Sequence, residues 1–125
     1  MTPLINLDRQ HKFLKSKLNS GFNEILKSNN FLNHDCINKF EELFSKSHEC
    51  KYGALTSSGT TALSLILLSL GIGKNDEVIT TTNTFFSTAE SIVHTGARPI
   101  FVDVSADDLN IDEKKIEKKI TKRTR

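Results

Sequence analysis

Two short stretches of this sequence could do chemistry. The first is Ser57-Ser58-Gly59-Thr60-Thr61. Ser58 can cap a helix by accepting from an orphan N–H of its first turn. Gly59 has no side chain, so the backbone can turn sharply there or approach a ligand closely. The next free N–H groups and the hydroxyls of Thr60 and Thr61 then converge on one spot. A helix N-terminus favours negative charge, so the stretch reads either as a phosphate cradle or as an ordinary capped helix. No Gly-Lys-Ser/Thr follows the turn, so it is not a Walker loop. The second stretch is Asn83-Thr84-Phe85-Phe86. The Phe85 ring could cover a flat ligand or simply fill a core.

Both stretches need elements to hold them. Residues 52–56 are a short apolar run and predict a strand; residues 60–70 predict a helix that Gly71 ends in a left-handed position. Ala62, Leu63, Leu65, Ile66, Leu67, Leu68 and Leu70 leave only serines as polar breaks, so this helix is expected to be buried on most sides. Residues 77–82 predict a second strand, centred on Val78 and Ile79. Residues 87–95 predict a short helix with Ala89, Ile92 and Val93 inward, closed by Gly96. A third strand is expected over residues 99–104, with Pro99 at its first position, where proline is tolerated. A basic-faced helix over 112–120, with Ile116 and Ile120 inward, follows a turn. The order from residue 52 is β-α-β-α-β-α, the pattern of an α/β architecture with a largely parallel sheet. In such sheets ligands sit beyond the carboxyl ends of the strands, and both stretches lie there.

Upstream, Phe13, Leu14, Leu18, Phe22, Ile25 and Leu26 recur at three- and four-residue steps and predict a helix over 8–27 capped by Asp8. Ile37, Phe40, Leu43 and Phe44 predict another over 36–47, capped by Asp35. Two segments result: a helical one over residues 1–50, and an α/β one over 51–125.

The chain has 125 residues and a net charge of +2, from 17 basic and 15 acidic residues, which points to no nucleic-acid partner. No apolar run reaches the ~18 residues that cross a membrane. Residues 1–6 carry no basic stretch followed by an apolar core, so a secretory leader is not expected. Cys36 and Cys50 read as reduced thiols, and the four histidines show no ligand spacing with them, so neither a bridge nor a metal site is expected. These features fit a cytoplasmic protein.

Read together, the motifs resemble the DegT/DnrJ/StrS family of pyridoxal-phosphate-dependent sugar aminotransferases. Ser58-Gly59-Thr60-Thr61-Ala62-Leu63 is similar to the family's S/N-G-T-x-A-L. Leu70-Gly71-Ile72-Gly73 and Asp76-Glu77-Val78-Ile79 are similar to its L-G-I-G-x-G-D-E-V-I, and Asn83-Thr84-Phe85 to its aromatic loop. Gly96-Ala97-Arg98-Pro99-Ile100-Phe101-Val102-Asp103-Val104 is similar to its G-A-x-P-V-F-V-D-V. Asn110-Ile111-Asp112 and Ile120-Thr121-Lys122-Arg123-Thr124 resemble the N-x-D and I-T-x-R-T that follow. The pieces stand in the family's order and at its intervals along nearly the whole chain. Two positions depart: His34 and Asn75 stand where the family has glycine.

The resemblance implies the N-terminal part of the large domain of the aspartate-aminotransferase fold (fold type I), a three-layer α/β/α arrangement carried here incompletely. It implies pyridoxal 5'-phosphate as cofactor, with Gly59 and Thr60 holding the phosphate, Thr61 lending its N–H, and Phe85 stacking on the pyridine ring. It implies transfer of an amino group from an amino-acid donor to a nucleotide-linked keto-sugar, in polysaccharide, lipopolysaccharide or aminosugar biosynthesis, by a homodimer. The family's Schiff-base lysine has no matching position here, so these residues alone are expected to be inactive and to supply no catalytic residue. A non-catalytic phosphate-binding module and an inactive gene remnant are the competing readings.

Overall fold

The computed structural model describes residues 5–125. The first four residues, part of the stretch on which the leader expectation rests, lie outside them. The described chain falls into two compact units divided between Leu55 and Thr56.

The first unit holds two helices, α1 (Asp8–Ser28) and α2 (His34–Ser47). Asp8 does not cap α1: Leu7 takes that position with no side-chain bond, and Asn29 ends the helix at φ 52°. The second helix starts two residues before its expected first residue, because Asn33 rather than Asp35 is the cap, its side chain accepting from the Cys36 amide at 3.3 Å. Asn33 also takes the left-handed turn there (φ 28°), so His34 needs none of a glycine's freedom. Phe40, Phe44 and His48 stack along one face of α2, with ring centroids 5.5 and 4.3 Å apart.

Residues 52–56 form no strand, which corrects the sequence reading. A strand exists only where a neighbour takes up its N–H and C=O groups. Here the Leu55 amide donates instead to the Glu41 carboxylate, at 2.7 Å. The apolar residues are right for a strand, but no ladder forms.

The second unit is a mixed α/β body. Helix α3 (Gly59–Ser69) comes first, then β1 (Glu77–Thr81), α4 (Phe86–His94) and β2 (Arg98–Val102). The two strands pair in parallel, Glu77 opposite Arg98 through Thr81 opposite Val102, with α4 as the crossover between them. Their core is small: Ile72, Ile92 and Ala97 are buried together, with Leu67 and Val78 packed against them. Gly71 and Gly96 turn the chain at φ 74° and 85°, and Asn75 does so at φ 77°. Asn75 thus meets the left-handed demand that explains a glycine at its position in the family motif.

Three burial and boundary expectations change. Helix α3 has no buried residue; Leu63, Leu65, Ile66, Leu68 and Leu70 are all exposed. Only its Leu67 face meets the small core, and the sheet is too narrow to cover the rest. In α4 the buried residues are Ser91 and Ile92, whereas Val93 is exposed. The final helix is short, α5 (Glu113–Ile116) capped by Asp112, and tightens into a 3-10 turn over Glu117–Lys119, leaving Ile120 exposed. One half-buried isoleucine, Ile116, is too little apolar surface to hold a longer lysine-rich helix. Among the described residues no helix is long and apolar enough to cross a membrane.

Candidate functional site

Helix α3 begins as its local sequence dictates. Ser58 is extended (φ −163°, ψ 163°), and its Oγ accepts from the Thr61 amide at 3.1 Å. The Thr61 hydroxyl lies 3.0 Å from Ser58 Oγ and 3.2 Å from Ser57 Oγ, while Thr56 Oγ1 donates to the Ser58 carbonyl at 2.9 Å. The turn is therefore braced from within. The Gly59 and Thr60 amides stand at the helix start with no acceptor among the described residues. A Cβ placed on Gly59 meets no heavy atom within 4 Å, and its φ is not left-handed. Gly59 is thus not needed for a strained turn. The space where its side chain would stand is open, at the start of a helix whose first two N–H groups are unpaired. Such a helix end can receive the oxygens of an anion, with the helix dipole adding to the attraction.

Phe85 stands at the N-cap of α4 and is 78% exposed; Phe86 beside it is exposed as well. The Phe85 carbonyl accepts from the Thr88 amide at 3.0 Å, and Thr84 Oγ1 lies 3.1 Å from Thr88 Oγ1. These bonds fix the loop that carries the ring, so the ring itself fills no core in this unit. At the carboxyl end of β1, Thr81 Oγ1 is buried with no hydrogen-bond partner among the described residues. A buried hydroxyl left unpaired is costly, and it sits on the strand that feeds the aromatic loop.

The two stretches are joined through α4. Ser91 Oγ approaches the Thr60 carbonyl at 3.1 Å and the Ser87 carbonyl at 2.7 Å. This puts the first turn of α3 against the middle of α4, the helix that Phe85 opens. The sequence reading passed over Ser91, whose partner lies 31 residues away in the chain.

It also passed over Glu77, which is 2% exposed. Thr121 Oγ1 donates to Glu77 Oε2 at 2.6 Å, and Arg123 Nη2 lies 2.8 Å from Oε1. The Thr121 hydroxyl, with the Arg123 and Arg98 cations, holds this carboxyl below the usual glutamate range against the opposing effect of burial. Backbone bonds double the attachment: Glu77 N donates to the Arg123 carbonyl at 2.8 Å and Arg125 N to the Glu77 carbonyl at 3.1 Å. Glu77 therefore straps residues 121–125 to the start of β1, at the end away from Phe85.

The family model described as "DegT/DnrJ/EryC1/StrS aminotransferase family" matches residues 13–125. A "Pleiotropic regulatory protein" of Geobacillus stearothermophilus is 35% identical over 123 residues, covering 98% of this chain and 33% of that protein. The "UDP-2-acetamido-2-deoxy-3-oxo-D-glucuronate aminotransferase" of Pseudomonas aeruginosa is 31% identical over 125 residues, 100% of this chain and 35% of that protein. Among solved structures, NtdA from Bacillus subtilis with bound cofactor PMP superposes with a TM-score of 0.88 at 33% identity, covering 99% of this chain and 29% of that one. The chain thus spans about a third of the length of the curated relatives it matches.

Proposed function

The chain belongs to the DegT/DnrJ/EryC1/StrS aminotransferase family, and from that premise we propose that its residues hold pyridoxal 5'-phosphate in a transaminase acting on a nucleotide-linked keto-sugar. Gly59 and Thr60 donate their backbone amides to the cofactor's phosphate. Thr61 belongs to the same cradle, sharing its N–H between Ser58 and a phosphate oxygen. Phe85 covers one face of the pyridine ring and keeps water from it. When bound, pyridoxal phosphate supplies an electron sink for moving an amino group from an amino-acid donor to the keto carbon. Residues 1–50 form the helical segment that precedes this cofactor-binding part, which starts at residue 51. The complete assembly is a homodimer, and none of the lysines of these 125 residues is assigned to the chemistry.

The observation that carries the reading is the pair of unpaired amides at Gly59 and Thr60 at the start of α3, in the same unit as an exposed Phe85. A dianion is the natural partner of such a helix end. The name of the Pseudomonas relative, a UDP-sugar aminotransferase, supports the substrate class. The solved relative with bound PMP supports the cofactor. Fluorescence titration of the intact protein with pyridoxal phosphate tests this. Saturable binding that inorganic phosphate competes away is expected. Binding without amino transfer to any nucleotide-linked keto-sugar would favour a non-catalytic binding module. No saturable binding would overturn the proposal.

A further inference from the structure

Ser91 is the one polar side chain that reaches from α4 to the first turn of α3, and it is completely buried, at 0% exposure. Its hydroxyl has a single proton, and the Ser87 carbonyl one helical turn back already offers an acceptor at 2.7 Å. The Thr60 carbonyl, at 3.1 Å, is a second acceptor. In a helix that carbonyl also receives the amide four residues on, so neither partner depends on the other for satisfaction. What the contact fixes is position.

The peptide it fixes is the one that matters. Thr60 C=O and Thr61 N–H are two ends of a single planar group. Ser91 Oγ holds the oxygen end at 3.1 Å, and Ser58 Oγ holds the N–H end at 3.1 Å. One serine precedes α3 and the other lies 31 residues beyond Thr60 in α4. A plane clamped at both ends cannot rock. The two unpaired amides, of Gly59 and Thr60, belong to the two peptides immediately before it. Their directions are set by the same short run of backbone.

We infer that Ser91 is a positioning residue for the cofactor phosphate: its buried hydroxyl clamps the Thr60–Thr61 peptide so that the Gly59 and Thr60 amides stay aimed at one anion. The inference rests on the cofactor reading above and goes beyond it by naming a residue that touches no ligand. The role is selective. It concerns the phosphate group and leaves the contacts of the pyridine ring alone.

The test compares pyridoxal 5'-phosphate with pyridoxal, which lacks the phosphate, by fluorescence titration of the intact protein. The wild type binds the phosphate form more tightly. Ser91→Ala keeps a strong helix former and removes one oxygen. It raises the dissociation constant for pyridoxal phosphate by roughly 3- to 10-fold, the worth of one net hydrogen bond, and leaves that for pyridoxal unchanged. Ser69→Ala is the control. Ser69 also bonds a carbonyl of its own helix, Ile66 at 2.8 Å, and bonds nothing in α4; its variant keeps the wild-type ratio. Should Ser91→Ala lose its cooperative melt, Ser91→Cys, of similar volume and with a weaker donor, carries the same expectation. An unchanged ratio in the Ser91 variant, or an equal loss for both ligands, overturns the inference. A wild type that does not discriminate between the two ligands fails at the earlier step: it overturns the cofactor reading, and this inference with it.

Discussion

Phe85 and Gly59 make opposite kinds of contribution, and each can be removed alone. Phe85 presents an exposed ring at the start of α4. Phe85→Ala is expected to weaken cofactor binding by about 1–3 kcal/mol, between one aromatic contact and full burial of a phenylalanine; a dissociation constant from fluorescence titration checks it. Gly59 contributes space. Because a Cβ there meets no atom of the chain within 4 Å, Gly59→Val should leave the melting temperature nearly unchanged while abolishing phosphate docking. A variant that melts like wild type and still binds pyridoxal phosphate normally would remove Gly59 from the site. The cap at the start of α3 was legible because it is local: Ser58 and the amide it caps are three residues apart. Ser91 and Glu77 were not, since their partners lie 31 and 44 residues away. Only the folded chain brings those together.

The elements show the same division between local and distant causes. The α3 start was readable from its cap, and Ser58→Ala is expected to cost about 1 kcal/mol of stability, seen in a denaturant melt. The strand expected over 52–56 was not readable, because a strand is a relation between two segments and its apolar pattern names only one. The attachment of residues 121–125 to β1 is testable through pH. Glu77 is held below the usual glutamate range by Thr121, Arg123 and Arg98. Its folded form thus favours the carboxylate more than the unfolded chain does. The stability this adds is fully present above the ordinary glutamate value of about 4.3 and is lost as pH falls through the lower folded value. Glu77→Gln should lower Tm at neutral pH, and the gap to wild type should shrink on acidification below about pH 4.3. A gap that stays constant with pH would show that the charge on Glu77 is not what holds the strap.

At the scale of the whole molecule, apolar surface exceeds what these residues bury. The core of the second unit is Ile72, Ile92 and Ala97 with Leu67 and Val78 packed on it, while Leu63, Leu65 and Leu68 of α3 and the phenylalanines of α1 and α2 are exposed. Composition could not foresee this, since an all-apolar helix signals only that cover is needed, and the cover depends on what surrounds it. Residues 1–125 prepared alone are therefore expected to bind an apolar dye; dye fluorescence no higher than that of a compact protein of this size would contradict that. The family assignment stands apart from this behaviour, because it rests on the order and spacing of motifs along the chain. The central claim, that the start of α3 holds the cofactor's phosphate, is tested most directly by following backbone amide resonances of the intact, isotope-labelled protein as pyridoxal phosphate is added. The Gly59 and Thr60 amides should show the largest downfield shifts, Thr61 a smaller one because Ser58 already engages it, and pyridoxal without its phosphate should move none of the three. Saturable binding with the Gly59 and Thr60 resonances unmoved would contradict the account.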